Sequence, residues 1–204
     1  MLFRSQAQVM SAGALSGLST SALSAMGTDA VSKLSVTSLV GFSTAQVGAL
    51  TSSQLQSLTT TQAAGLGGAQ ALGLGSSQLT ALNTDDLSKL SAAAVSSLRS
   101  GALVGLTSTQ VGSLQSTQVA ALTAQQAGGL TGEQTVNLSS SQAKALAVGV
   151  LSGMTTAALS SMNTTALSSL TATQLAGLNA TQVGALTTGQ LASLTTTQAA
   201  SLSA

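Results

Sequence analysis

The sequence predicts an all-α repeat solenoid built from very short capped helices, one in each eight-residue repeat. A large apolar residue recurs at every eighth position without a slip, from Leu2 and Met10 to Leu194 and Leu202. Most repeats also carry a helix-start signal, and the chain is rich in Leu, Ala and Gln but has no Ile or Tyr. A β-solenoid is the alternative, because strands could also use a repeat of eight.

The helix start is written into the consensus Thr-x-x-Gln-Val/Leu-small-small-Leu, which we number as positions one to eight of an octad. Ser or Thr followed by Gln three residues later is a capping box: the hydroxyl accepts the N3 amide, and Gln reaches back to the N-cap amide. Leu106 and Val111 stand where a hydrophobic staple is expected. The predicted capping residues are Thr107 with Gln110, Thr171 with Gln174, and Thr195 with Gln198.

Each helix is expected to end within its own octad. In one uninterrupted α-helix, successive Leu residues would move about 80° around the axis, so no constant apolar face would form. Glycines near the end of the unit, such as Gly112, Gly128, Gly129 and Gly177, favour a helix terminus there.

The leucines of position eight are expected to supply the interior of the solenoid. The predicted core residues are Leu50, Leu58, Leu106, Leu114, Leu122, Leu170, Leu178, Leu186 and Leu194.

The octads are predicted to form one continuous array over residues 1–204. Within it, the Gln of position four is interrupted at Asp86, Ala94 and Ala102, and again 64 residues later at Val150, Ala158 and Ala166. We therefore expect a 64-residue super-repeat over 43–106, 107–170 and, in part, 171–204. The number of octads in one coil turn stays open, because every column repeats at eight.

The charge pattern argues against several classes of partner. Charged residues make up 4% of the 204, the net charge is +1, and the five basic residues are dispersed, which excludes the clustered Lys and Arg that nucleic-acid binding needs. Ser, Thr and Gln interrupt every apolar run, so we expect no membrane span. Low charge also weakens repulsion between copies, and the partner we expect is therefore another copy of the chain.

We expect no catalytic site, no metal, no cofactor and no small-molecule ligand. Without His or Cys the chain lacks a serine triad and the common metal ligands. The acidic residues Asp29, Asp85 and Asp86 precede Lys33 or Lys89 at helical spacing, which is typical of surface ion pairs. Gly67 and Gly75, which replace the Thr cap, lack the Lys of a phosphate-binding loop.

The L-T-x-x-Q-V-x-x-L units resemble the tandem repeats of very large bacterial exoproteins labelled as haem-utilisation or adhesion proteins, and those of surface filament proteins. The resemblance covers nearly the whole chain and implies a structural role outside the cell or on its surface. It does not extend to haem, because no His or Cys is present to bind the iron.

These observations together predict a non-enzymatic structural protein that assembles into extracellular or cell-surface filaments. Uncapped solenoid ends favour end-to-end growth, and contacts that do not close produce filaments. The alternative is a repeat spacer or adhesin segment of a large exoprotein. A further alternative is ice binding, which rows of Thr such as Thr107 with Thr109 would serve.

Overall fold

The computed structural model describes residues 10–202, and it is helical throughout that range. It contains 24 helices of four to six residues, and strands are absent from the described chain. The prediction of an all-α repeat solenoid with one short helix in each octad is confirmed, and the β-solenoid alternative is wrong.

The chain forms two compact units, Met1–Gly105 and Leu106–Ala204. The helices of the first unit are α1 (Ala12–Ser16), α2 (Thr20–Ser24), α3 (Thr28–Val31), α4 (Val36–Val40), α5 (Thr44–Gly48), α6 (Ser52–Gln56), α7 (Thr60–Gly65), α8 (Gly68–Ala71), α9 (Ser76–Ala81), α10 (Thr84–Lys89), α11 (Ala92–Ser97) and α12 (Ser100–Leu103).

The helices of the second unit repeat the same spacing. They are α13 (Ser108–Ser113), α14 (Ser116–Ala120), α15 (Ala124–Ala127), α16 (Gly132–Thr135), α17 (Ser140–Ala145), α18 (Val148–Gly153), α19 (Thr156–Ser160), α20 (Thr164–Ser168), α21 (Ala172–Ala176), α22 (Ala180–Gly184), α23 (Thr188–Ala192) and α24 (Thr196–Ser201).

Helix ends are set by the backbone around position eight. Leu66, for example, follows α7 with extended angles, φ −67° and ψ 119°, and Gly67 begins the next cap in an extended conformation as well. No described residue, glycine included, has a positive φ. The expectation that Gly177 ends its helix by the usual left-handed glycine cap is therefore wrong, since its φ is −79°.

The coil is closed by packing between octads that are distant in sequence. Within each unit a helix packs against the third helix after it, as α4 does against α7 and α15 against α18. Hydrogen bonds between turns join residues 25 to 31 positions apart, as from Thr44 to Ala69 and from Gln46 to Leu15. One turn of the coil therefore contains between three and four octads.

The interior of each unit is lined by three of the eight positions. The apolar residues of positions five and eight are buried in most octads, and so are the residues of position four, whether Gln, Ala or Ser. The N-cap residues of position one lie mainly at the outer surface. A narrow aliphatic core with a polar row beside it thus runs through each unit.

Position seven meets the preceding turn where backbones approach closely. A Cβ at Gly73 would collide with the Thr44 carbonyl oxygen, and one at Gly105 would collide with Ser76. Both pairs are 29 residues apart. Glycine is used there to let backbones approach, and not to reach an unusual φ.

Candidate functional site

The feature that repeats most regularly is the Gln of position four, whose side chain makes two kinds of contact. The first is the capping box inside its own octad. In α13, the Thr107 Oγ1 accepts the Gln110 backbone N–H at 3.2 Å, and the Gln110 Oε1 accepts the Thr107 N–H at 2.9 Å. The same pair of bonds joins Thr171 to Gln174 and Thr195 to Gln198.

The second contact crosses to the preceding coil turn. The Gln54 Nε2 donates to the carbonyl oxygens of Leu23 at 2.7 Å and Met26 at 2.8 Å. The Gln190 Nε2 donates to Leu159 and Met162, each at 2.8 Å. These carbonyls belong to the last residues of a short helix and lack an intrahelical partner of their own. One amide thus caps the start of its own helix and the end of a helix in the next turn.

We call this set of amide contacts the glutamine ladder. Contacts of this second kind are made by Gln46, Gln54, Gln62, Gln70, Gln78, Gln134, Gln142, Gln174, Gln182, Gln190 and Gln198. The acceptors lie 28, 30 or 31 residues earlier in the chain. Most of these side chains are buried, and no described buried side-chain nitrogen or oxygen is left without a partner.

Sequence reasoning found the first contact and missed the second. The capping box uses only the Oε1 of Gln, yet the Nε2 of the same amide carries two N–H donors that must also be satisfied when buried. A capping-box residue followed by an apolar position five is therefore expected to be buried, and its spare donors are the signal that could have revealed the ladder.

Octads without Gln satisfy the same groups in other ways. Ala166 takes the Gln position in α20, and the N-cap residue Asn163 replaces its function. The Asn163 Oδ1 accepts the Ala166 N–H at 2.8 Å, while its Nδ2 donates to the Val136 and Leu138 carbonyls, each at 2.9 Å. One Asn therefore closes its own helix and reaches the preceding turn.

Asp86 also occupies the Gln position, and the expectation of a surface ion pair with Lys89 is wrong for it. Its side chain is only 1% exposed and accepts a hydrogen bond from the Asn83 Nδ2 at 2.6 Å. Burial raises the pKa of Asp86, the Asn83 hydrogen bond lowers it, and the charge of Asp85 raises it, so that the net shift is upward. Register in the octad, rather than charge spacing, decides where this carboxyl lies.

The leucines predicted as core residues lie inside the coil in all but one case. Leu50, Leu58, Leu106, Leu114, Leu122, Leu170, Leu178 and Leu186 are buried. Leu194 is only partly buried, contrary to the prediction, because the face of the last described turn is not covered by another turn.

Two searches of the described residues concern other kinds of site. In the range 10–202, no group of three His, Cys, Asp or Glu side chains could hold a metal ion. No helix in the same range is both long and apolar enough to cross a membrane.

Comparison with known proteins agrees with the repeat. No curated protein and no solved structure matches the chain significantly. Residues 31–60, which include α4, α5 and α6, match the family model described as the ALTTAQ repeat, and the period of eight seen there continues through the described chain.

Proposed function

We propose that this repeat protein is a non-enzymatic structural subunit that assembles into extracellular or cell-surface filaments. The observation that carries the proposal is the uniformity of the contact between turns. The same amide reaches the same carbonyl positions, 28 to 31 residues earlier, in both units. Each turn thus presents the next with the same kind of face, and such an interface has no geometric end point.

The charge distribution supports association. Five basic and four acidic residues are spread over 204 positions, and no charged residue follows Lys144. A surface with so little charge has weak electrostatic repulsion between copies, which lowers the cost of bringing two of them together.

The test is the association state of the purified 204-residue chain at micromolar concentration. We expect sedimentation and negative-stain electron microscopy to show fibres of constant width, and fractionation of source cells to place the protein outside the cell or on its surface. A stable monomer across the concentration range would contradict the filament role.

A repeat spacer in a large exoprotein is the second candidate, and the ladder also favours it. Each octad in the middle of a unit is held to turns on both sides, so a unit would keep its length under load. This role predicts an elongated monomer by small-angle scattering where the filament role predicts polymers, so one sample distinguishes the two.

A further inference from the structure

The last described turn, residues 171–202, exposes side chains that other turns bury. Leu191, at position five, is 42% exposed, and Ala199 at the same position is also exposed. Under a following turn, position five is closed to solvent, as Leu55 and Val119 are. The turn therefore presents an open aliphatic face, which we call the terminal face.

The structure contains turns of a second kind that cover such a face without Gln. Ala94 and Ala158 occupy position four there and are fully buried. Their octads belong to turns that lie directly on Gln-bearing octads: α11 packs on α8, and the Ala158 carbonyl accepts the Thr135 hydroxyl at 2.6 Å. An alanine turn is thus a proven cover for a glutamine turn in both units.

A turn of this alanine kind, with its outer face uncovered, lies at residues 11–40. It carries Ala14, Ala22 and Ala30 at position four, of which Ala14 is exposed and Ala22 partly exposed. Residues 10–28 and 145–204 contain no charged side chain, so apposing the two faces would bury no charge.

The order of blocks points to the same pairing. Inside the chain, the Gln run 46–78 is followed by octads without Gln at 86–102, and the run 110–142 is followed by 150–166. The run 174–198 is a third block of Gln octads. The octads at 14–38, which lack Gln, would continue this order if a second copy supplied them.

We propose that the terminal face of one copy binds the 11–40 turn of a second copy, head to tail, with Ala22 placed against Leu191. The assignment rests on the proposed filament function and names its interface. It extends the contact already present between turns of each unit to a contact between molecules. Because the contact is head to tail, it leaves a free face at each end and allows growth.

The first test compares two leucines of equal exposure. Leu191 lies on the terminal face, whereas Leu72 is 41% exposed at position six, where it is not part of that face. Leu191→Glu places a charge in the interface, and we expect the concentration needed for assembly to rise about a hundredfold or more. Leu72→Glu is expected to change it less than about threefold, and circular dichroism should show unchanged helical content in both.

The second test uses disulfide cross-linking, which the absence of Cys makes clean. Copies carrying Ala22→Cys are mixed with copies carrying Leu191→Cys under mild oxidation. We expect cross-links between residues 22 and 191 and few between two residues 191. Equal or preferred 191–191 cross-links would overturn the head-to-tail arrangement.

The outcomes separate the two proposals. If the parent chain assembles and Leu191→Glu assembles equally well, the interface is wrong and the filament function stands. If Leu72→Glu blocks assembly as strongly as Leu191→Glu, the interface is again wrong. If the parent chain stays monomeric, the filament function fails, and this interface fails with it.

Discussion

The Gln54 Nε2 donates to the carbonyl oxygen of Leu23, which precedes it by 31 residues, at 2.7 Å. The Oε1 of the same amide accepts the Thr51 N–H at 2.8 Å, so one side chain joins two helices of neighbouring turns. Only an amide has a donor and an acceptor at the end of a chain of this length, which explains why Gln, and not Glu, recurs at position four.

Gln54→Glu tests this relationship with almost no change in shape. The carboxylate cannot donate to the Leu23 and Met26 carbonyls and would be buried beside them. We expect a loss of about 3 kcal/mol or more in unfolding free energy, measured by urea denaturation at pH 7. Gln56→Glu is the matched control, because Gln56 is exposed two residues away, and its effect should be within about 0.5 kcal/mol. Equal losses in both variants would contradict the ladder.

Asn163→Thr tests the substitute contact in an octad without Gln. Thr keeps the N-cap oxygen but cannot donate to the Val136 and Leu138 carbonyls together. We expect a loss of about 1 to 3 kcal/mol in unfolding free energy. Asn179→Thr should cost only a few tenths of a kcal/mol, because Gln182 already makes the bonds to the preceding turn there. Adding Ala166→Gln to the Asn163→Thr variant should restore part of the loss.

Sequence reasoning recovered the regular part of this architecture. The capping boxes and the column of position eight are local patterns, and both could be read from residues such as Thr107, Gln110 and Leu114. The number of octads in a turn could not be read, because it is set by contacts 25 to 31 residues apart and every column repeats at eight.

The irregular octads were harder to interpret. Asp86 has the spacing of a helix ion pair with Lys89, yet it is buried because it stands in the position-four column. Asn163 gave no sign of its role, since an N-cap Asn is common and its second contact lies 25 and 27 residues away. In both cases position in the octad was more informative than residue type.

Asp86 predicts a pH dependence of stability. Because its folded pKa is raised, the protonated form is favoured in the fold, and the stability it contributes is present below its unfolded pKa and lost as pH rises through the folded value. We expect the melting temperature of the parent chain to fall from about pH 3 towards pH 7, since the model value for an Asp carboxyl is about 4.

The matched variants for this prediction are Asp86→Asn and Asp85→Asn. The first removes the buried carboxyl, and its melting temperature should vary less with pH and exceed that of the parent chain at pH 7. The second removes an exposed neighbour and should keep the fall. A parent curve that rises with pH over this range would refute the assignment.

Gly177 predicts a steric limit on position seven. A Cβ there would collide with the Val148 side chain of the preceding turn. We expect Gly177→Ala to lower the unfolding free energy by about 1 to 3 kcal/mol, and Val148→Ala in the same chain to relieve most of that loss. Gly184→Ala is the control, because its Cβ would meet nothing within 4 Å and Ala favours the helix by about 0.5 to 1 kcal/mol.

Hydrogen exchange of the Gln side-chain amides, followed by nuclear magnetic resonance, tests the ladder most directly. The position-four amides, such as those of Gln54, Gln142 and Gln190, are buried and bonded to carbonyls, whereas Gln56, Gln115 and Gln125 are exposed. The account predicts slow exchange for the Nε2 protons of the first group and rapid exchange for the second. Equally rapid exchange in both groups would contradict it.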